Sequence, residues 1–161
     1  MILVADASAL IALASCNSLS LLDKLFGEVL VPQTVYSEIA KVDKAHSSCL
    51  QSYLKGKVRV VDTQRFVYLD AFADAGETEA MLLYKEVSAD YLLIDDKRGR
   101  KVAKINQIKT IGSVGVLLQA KRAGHIQLIA PLLELIASSP VYISESLINT
   151  VLELAGESQQ L

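Results

Sequence analysis

At 161 residues the chain is long enough for one domain with its own apolar core, without disulfide or metal staples. It is 52% hydrophobic with a mean hydropathy of +0.35, yet no apolar run nears the roughly 18 residues of a membrane span. Net charge is −2 but unevenly spread: eight bases and no acid lie between Lys97 and Leu133, leaving −10 on the rest, which fits a polyanion contact or a set of solvated helix faces. Asp6 follows the apolar start too soon, with no basic residue before it, for a secretory signal. Cys16 and Cys49 have no metal-type spacing and read as ordinary thiols of a reducing cytoplasm.

Ile2 to Ala5 form a continuous apolar run, the pattern of a strand buried on both faces in a parallel sheet. It ends in Asp6, which such a strand delivers to the carboxyl-end crevice of the sheet; Asp6 or Ser8 would serve equally as a helix cap. An alanine-rich helix follows over 8–15, then a second over 19–26 stopped by Gly27. Glu28 to Val31 reads as a short buried strand, and Pro32 opens a helix through Lys41 with Glu38 bordering its buried face. Residues 42–54 are polar and helical, with His46 read as a surface residue. Val58 to Val61 form a third strand, and 64–73 is expected to be helical.

Asp74–Gly76 reads as a turn into a helix through Val87, whose early acids Glu77 and Glu79 also suit the helix macrodipole. Asp90 to Ile94 is the second strong buried strand, and it runs straight into Asp95 and Asp96. A basic helix from Lys97 to Asn106, a strand over 108–111, a helix closed by Gly124 and two helices over 126–137 and 144–155 complete the chain. One domain over 1–155 with a frayed tail over 156–161 is expected. The alternation predicts an α/β three-layer sandwich around a small, mostly parallel central sheet, with Asp6 and Asp95/Asp96 on one edge.

Those acids, joined by Glu38 and by Glu77 or Glu79, would form a carboxylate cluster. Converging carboxylates repel and raise one another's pKa, an arrangement that a divalent cation relieves. Oxygen donors without cysteine or paired histidine point to Mg²⁺ or Mn²⁺. Such an ion beside a phosphate is equipped for phosphodiester hydrolysis, with the bases after Asp96 placed where a phosphate backbone approaches. A nucleotide-binding fold would need a glycine-rich first turn, which ADASAL lacks. A haloacid-dehalogenase-type site would need an acid where Ser8 stands.

VADASALIAL, VPQTVYSEI, GETEAMLL, LLIDDKRGRKVA and TIGSVGVLLQAKRAG come in an order that resembles a PIN domain, in particular the branch similar to VapC toxins with GExEA and DDxxGRxVA signatures. The resemblance implies a PIN-like fold and a metal-dependent ribonuclease with an RNA substrate and an antitoxin protein as partner; the high apolar content suits a homodimer, and the unpaired thiols a cytoplasmic location. It matches the family's first acid to Asp6 with Ser8 as the accompanying hydroxyl, the second to Glu38, the third to Glu79 ahead of Glu77, and the last to Asp95 or Asp96. Asp6, the middle Glu and one of Asp95 and Asp96 would bind the metal, Glu38 would orient or deprotonate the attacking water, and Lys97, Arg98, Arg100 and Lys101 would hold the RNA. The alternative is a weakly active or inactive PIN-like module that acts by binding a partner or a second copy.

Overall fold

A strand apolar on both sides must be covered on both sides, and β1 (Ile2–Ala5) is: Leu3, Val4 and Ala5 are fully buried. In the computed structural model, which describes all residues except 42–45, 63, 65, 66, 69 and 158–161, β1 is the middle of a five-stranded sheet. The order is β3 (Val58–Arg59), β2 (Glu28–Pro32), β1, β4 (Tyr91–Leu93), β5 (Thr110–Ile111), and every neighbouring pair is parallel. Alternate residues feed two cores. Leu3, Ala5, Val29, Val31 and Leu93 face the first. Val4, Leu30, Leu92 and Ile94 face the second. Burying each such Leu, Val or Ile contributes about 1.5–3 kcal/mol.

The first core is closed by α1 (Ala7–Ser15), α2 (Ser20–Phe26), α3 (Gln33–Ile39), α4 (Ser47–Tyr53), α7 (Ser113–Arg122), α8 (Ala130–Ala137) and α9 (Glu145–Leu154). The second is closed by α5 (Ala75–Glu86) and α6 (Lys97–Ile105). The chain is therefore the expected three-layer α/β sandwich. The four alanines of α1 (Ala7, Ala9, Ala12, Ala14) lie all round the helix and are buried, letting α3, α4, α7 and α8 pack about it. Among the described residues no single helix is long and apolar enough to cross a membrane; α1 and α2 together are apolar enough but meet at 115°. Both cysteines are free thiols, Cys16 buried and Cys49 exposed.

Several elements are shorter than their sequence patterns. β3 stops at Arg59, leaving Val60 86% exposed, because its partner β2 ends at Pro32 and the chain turns into α3 at Gln33, so no strand remains for Val60 to pair with. Asp90 lies outside β4, and its carboxylate accepts from the Ile2 amide at 2.7 Å. α8 begins at Ala130 rather than at Ile126, with Pro131 in its first turn, where a missing N–H costs nothing. The helix expected over 64–73 is reduced to a 3₁₀ turn, Asp70–Phe72, with residues 65, 66 and 69 outside the described set. The start of the polar helix expected from Val42 also lies outside the described residues; α4 begins at Ser47.

Glu157 does not behave as part of a frayed tail. Its carboxylate accepts from the Ile129 and Ala130 amides (2.9 and 3.1 Å) and from Lys121 Nζ at 2.8 Å, while Lys121 also donates to the Ala155 carbonyl. That one side chain joins the end of α9 to α7 and to the start of α8. These donors hold its carboxyl below the usual range against the opposing effect of burial. The rest of the expected tail, 158–161, lies outside the described residues.

Candidate active site

The chain lays β1, β2 and β3 outward in one direction and then returns to lay β4 and β5 in the other. The reversal falls between β1 and β4, and in open α/β sheets the crevice at such a reversal, beyond the carboxyl ends of the strands, is where ligands bind. Ala5 pairs with Leu93, and the Asp6 amide donates to the Leu93 carbonyl at 2.9 Å. Asp6 and the Asp95–Asp96 pair therefore leave the sheet side by side.

Strand alternation separates Asp95 from Asp96. Asp95 turns to the α7 side, where its carboxylate accepts from the Ser113 amide and hydroxyl, both at 2.7 Å. It thereby caps the amino end of α7, which begins after Gly112. A Cβ on Gly112 would stand 2.9 Å from Asp95 Oδ1, so the glycine makes room for this cap. Asp96 turns to the α5 side and caps α6, accepting from the Gly99 amide at 2.7 Å. Asp95→Ala is expected to cost about 1–2 kcal/mol of stability in urea unfolding, with Asp95→Asn recovering most of it, since either side chain can cap a helix.

Around Asp6 the structure gathers Glu77, Asp74 and Glu38, and Asp96 joins through Glu77. Asp74 and Glu77 form a capping box at the start of α5. The Glu77 amide donates to Asp74 Oδ1 at 2.7 Å, and the Asp74 amide donates to Glu77 Oε2 at 3.0 Å. The segment expected to be a turn is thus the first turn of α5 and its cap. The box fixes the Glu77 side chain, and its other oxygen lies against α6: a Cβ on Gly99 would come within 3.0 Å of Glu77 Oε1 and 2.7 Å of Ile94 Cδ1. Only a glycine there lets α6 approach so closely. Glu38 is half-buried on α3, on the side of Gly76, and among the described residues no hydrogen bond engages its carboxylate.

Glu79, favoured over Glu77 by the family resemblance, faces elsewhere: its carboxylate accepts from the Thr34 hydroxyl of α3. The two acids are two residues apart on a helix, about 200° around its axis, so they cannot share one target. Asp74, absent from the sequence-based site, belongs to it. Its signal was the Asp-x-x-Glu spacing of a capping box. Of the bases, Lys97, Arg100 and Lys101 line a groove that begins at Ser8, Asp95 and Asp96. Lys104 continues that row one turn on, whereas Arg98 is exposed and does not line the groove.

Asp6 and Glu77 are 4% and 5% exposed, unusual for carboxyls with no cationic partner. Burial pushes Asp6 up to about 7; the Ala7 amide opposes this, and the charges of Glu77, Asp74 and Glu38 add to it. Glu77 is raised for the same reason, burial first, with Asp74, Asp96 and Glu38 adding to it and the Asp74 amide opposing. Although Asp6 occupies the N-cap position of α1, it makes no capping hydrogen bond. Among the described residues no three acids, histidines or cysteines stand close enough as placed to enclose an ion. The donor chemistry nevertheless fits a hard divalent cation, being all carboxylate oxygen, crowded and uncompensated. Asp6, Glu77 and Asp96 are the residues that would hold it.

Fold and site define an α/β sandwich that gathers carboxylates at the switch point of an all-parallel sheet. A PIN domain family model matches residues 2–157, nearly the whole chain, and the protein belongs to the PIN domain family. PIN domains are generally nucleases and typically use divalent metals, which places this chain at the coarse level among nuclease-type hydrolases. No curated protein matches it.

Proposed function

We propose that the protein is a Mg²⁺- or Mn²⁺-dependent ribonuclease that hydrolyses RNA phosphodiester bonds at the acidic crevice. The observation that carries this reading is the burial of Asp6 at the sheet reversal with only like charges around it. A fold retains such a costly arrangement where a cation normally compensates it. The bound ion would lower the pKa of a water and neutralise charge on the phosphate. Glu38, unengaged by hydrogen bonds among the described residues, would orient the attacking water or take its proton. Lys97, Arg100 and Lys101 hold the phosphate backbone beside Asp96, and Ser8 lies at the same mouth.

On this reading the chain is a VapC-like toxin of the cytoplasm, held in check by an antitoxin protein and active as a homodimer. The free thiols support the reducing compartment. The reading is tested by incubating the purified protein with RNA. Cleavage should appear with Mn²⁺ or Mg²⁺ and stop in EDTA. Absence of cleavage together with absence of Mn²⁺ binding by calorimetry at millimolar metal would favour a module that only binds partners.

A further inference from the structure

From the mouth at Ser8, Asp95 and Asp96 a groove of about 1660 Å³ runs along the β5 edge of the sheet. One wall is the α6 row Lys97, Arg100, Lys101 and Lys104, at helical spacing of three and four. The opposite wall is the segment 140–154, made of the loop before α9 and α9 itself. That wall carries hydroxyls (Ser144, Ser146, Thr150) and apolar surface, including Leu147 at 44% exposure. Its most prominent group is Tyr142, 87% exposed with no ring partner among the described residues. The acids of α9, Glu145 and Glu153, stay out of the groove, so beyond its mouth the lining is cationic or neutral.

We propose that this groove is the channel for a single strand of nucleic acid, and that Tyr142 on its far wall is a stacking platform for a base beyond the scissile phosphate. The inference rests on the nuclease reading and extends it to residues that no motif of the sequence marks. Its physical content is a two-sided match. A row of cations at one helix face tracks a phosphate backbone, and an exposed aromatic ring across from it takes the flat face of an unpaired base. A duplex hides those faces in its stack and offers nothing to Tyr142. An acidic protein helix would satisfy the cations too, but the groove is continuous with the acidic crevice at Asp96, where a scissile phosphate has to arrive. Tyr142 acts by positioning and touches no reacting atom.

The test is binding in EDTA, where cleavage is not read, using a fluorescently labelled single-stranded RNA of about ten nucleotides, the same strand with its bases removed, and a duplex of the same length. Tyr142→Ala should weaken the intact strand about tenfold, with Tyr142→Phe or Tyr142→Trp restoring it, and should leave the base-free strand unchanged. Lys104→Gln should weaken the intact and base-free strands alike and lower the salt slope by about one. Tyr142 is nearly fully exposed, so its replacement leaves the core intact, which the unfolding curve verifies. Equal binding by wild type and Tyr142→Ala overturns the channel while leaving the nuclease standing. Tyr142-dependent binding without metal-dependent cleavage does the reverse. Duplex bound as tightly as single strand, or no RNA bound and a dimer that Tyr142→Ala dissociates, also overturns the proposal, the last in favour of a second copy of the chain as occupant.

Discussion

Asp6→Asn is expected to reduce metal-dependent RNA cleavage by about 10³-fold or more while raising the melting temperature of the metal-free protein. The two effects have one cause. Asp6 is buried among Glu77, Asp74 and Glu38, and its pKa in the folded protein is about 7 against 3.8 for an ordinary aspartate. Between those values the native state binds a proton that the unfolded state has released. Stability from this group is therefore fully present below about pH 4 and is lost as pH rises through about 7. Asparagine keeps the shape without the charge and removes that loss. The melting-temperature difference between variant and wild type should be near zero at about pH 4, grow through neutrality and level off above about pH 8. Scanning calorimetry in EDTA across that range checks it. Added Mn²⁺ should reverse the order, because it stabilises only the wild type. Cleavage retained by a clean Asp6→Asn preparation would remove Asp6 from the site.

The second large effect separates two acids that the sequence presents almost as equals. Glu77→Gln should lower cleavage by about two to three orders of magnitude, whereas Glu79→Gln should stay within about threefold of wild type. Glu77 is buried, fixed by its capping box with Asp74, and lies among the acids around Asp6 and Asp96. Glu79 spends its carboxylate on the Thr34 hydroxyl, and losing that acceptor's charge is a matter of about 1 kcal/mol of stability. Parallel measurements of kcat and of the urea midpoint for both variants decide the matter. A reversed pattern would return the site to Glu79.

The layered fold was readable because its central strands announce themselves. Ile2 to Ala5 and Tyr91 to Ile94 are apolar at every position, and only a sheet covered on both faces accommodates that. The choice between Asp95 and Asp96 was open because it depends on register. Once Val4 is known to pair with Leu92, Asp6 and Asp96 follow on one face and Asp95 on the other. Glu77 had a local signal, Asp74 three residues before it, that competed with the family-like run around Glu79. The early end of β3 was implicit in the turn of the chain from Pro32 into a helix, but only after β2 and β3 are known to be neighbours. Lys104 and Tyr142 carry no motif. They matter through the approach of α9 to α6, which is a tertiary fact.

Glu157 fastens one end of the α9 wall. The helix that forms the groove's outer wall packs on the first core through Val151, with Ile148 and Leu152 partly buried beside it. A carboxylate just past its last turn ties it to the Lys121 ammonium and to the backbone amides of Ile129 and Ala130. The outer wall of the passage is thus fastened at its carboxyl end by a polar clasp as well as by apolar contact. A substitution at that clasp is expected to act on the passage with no change to any residue that lines it.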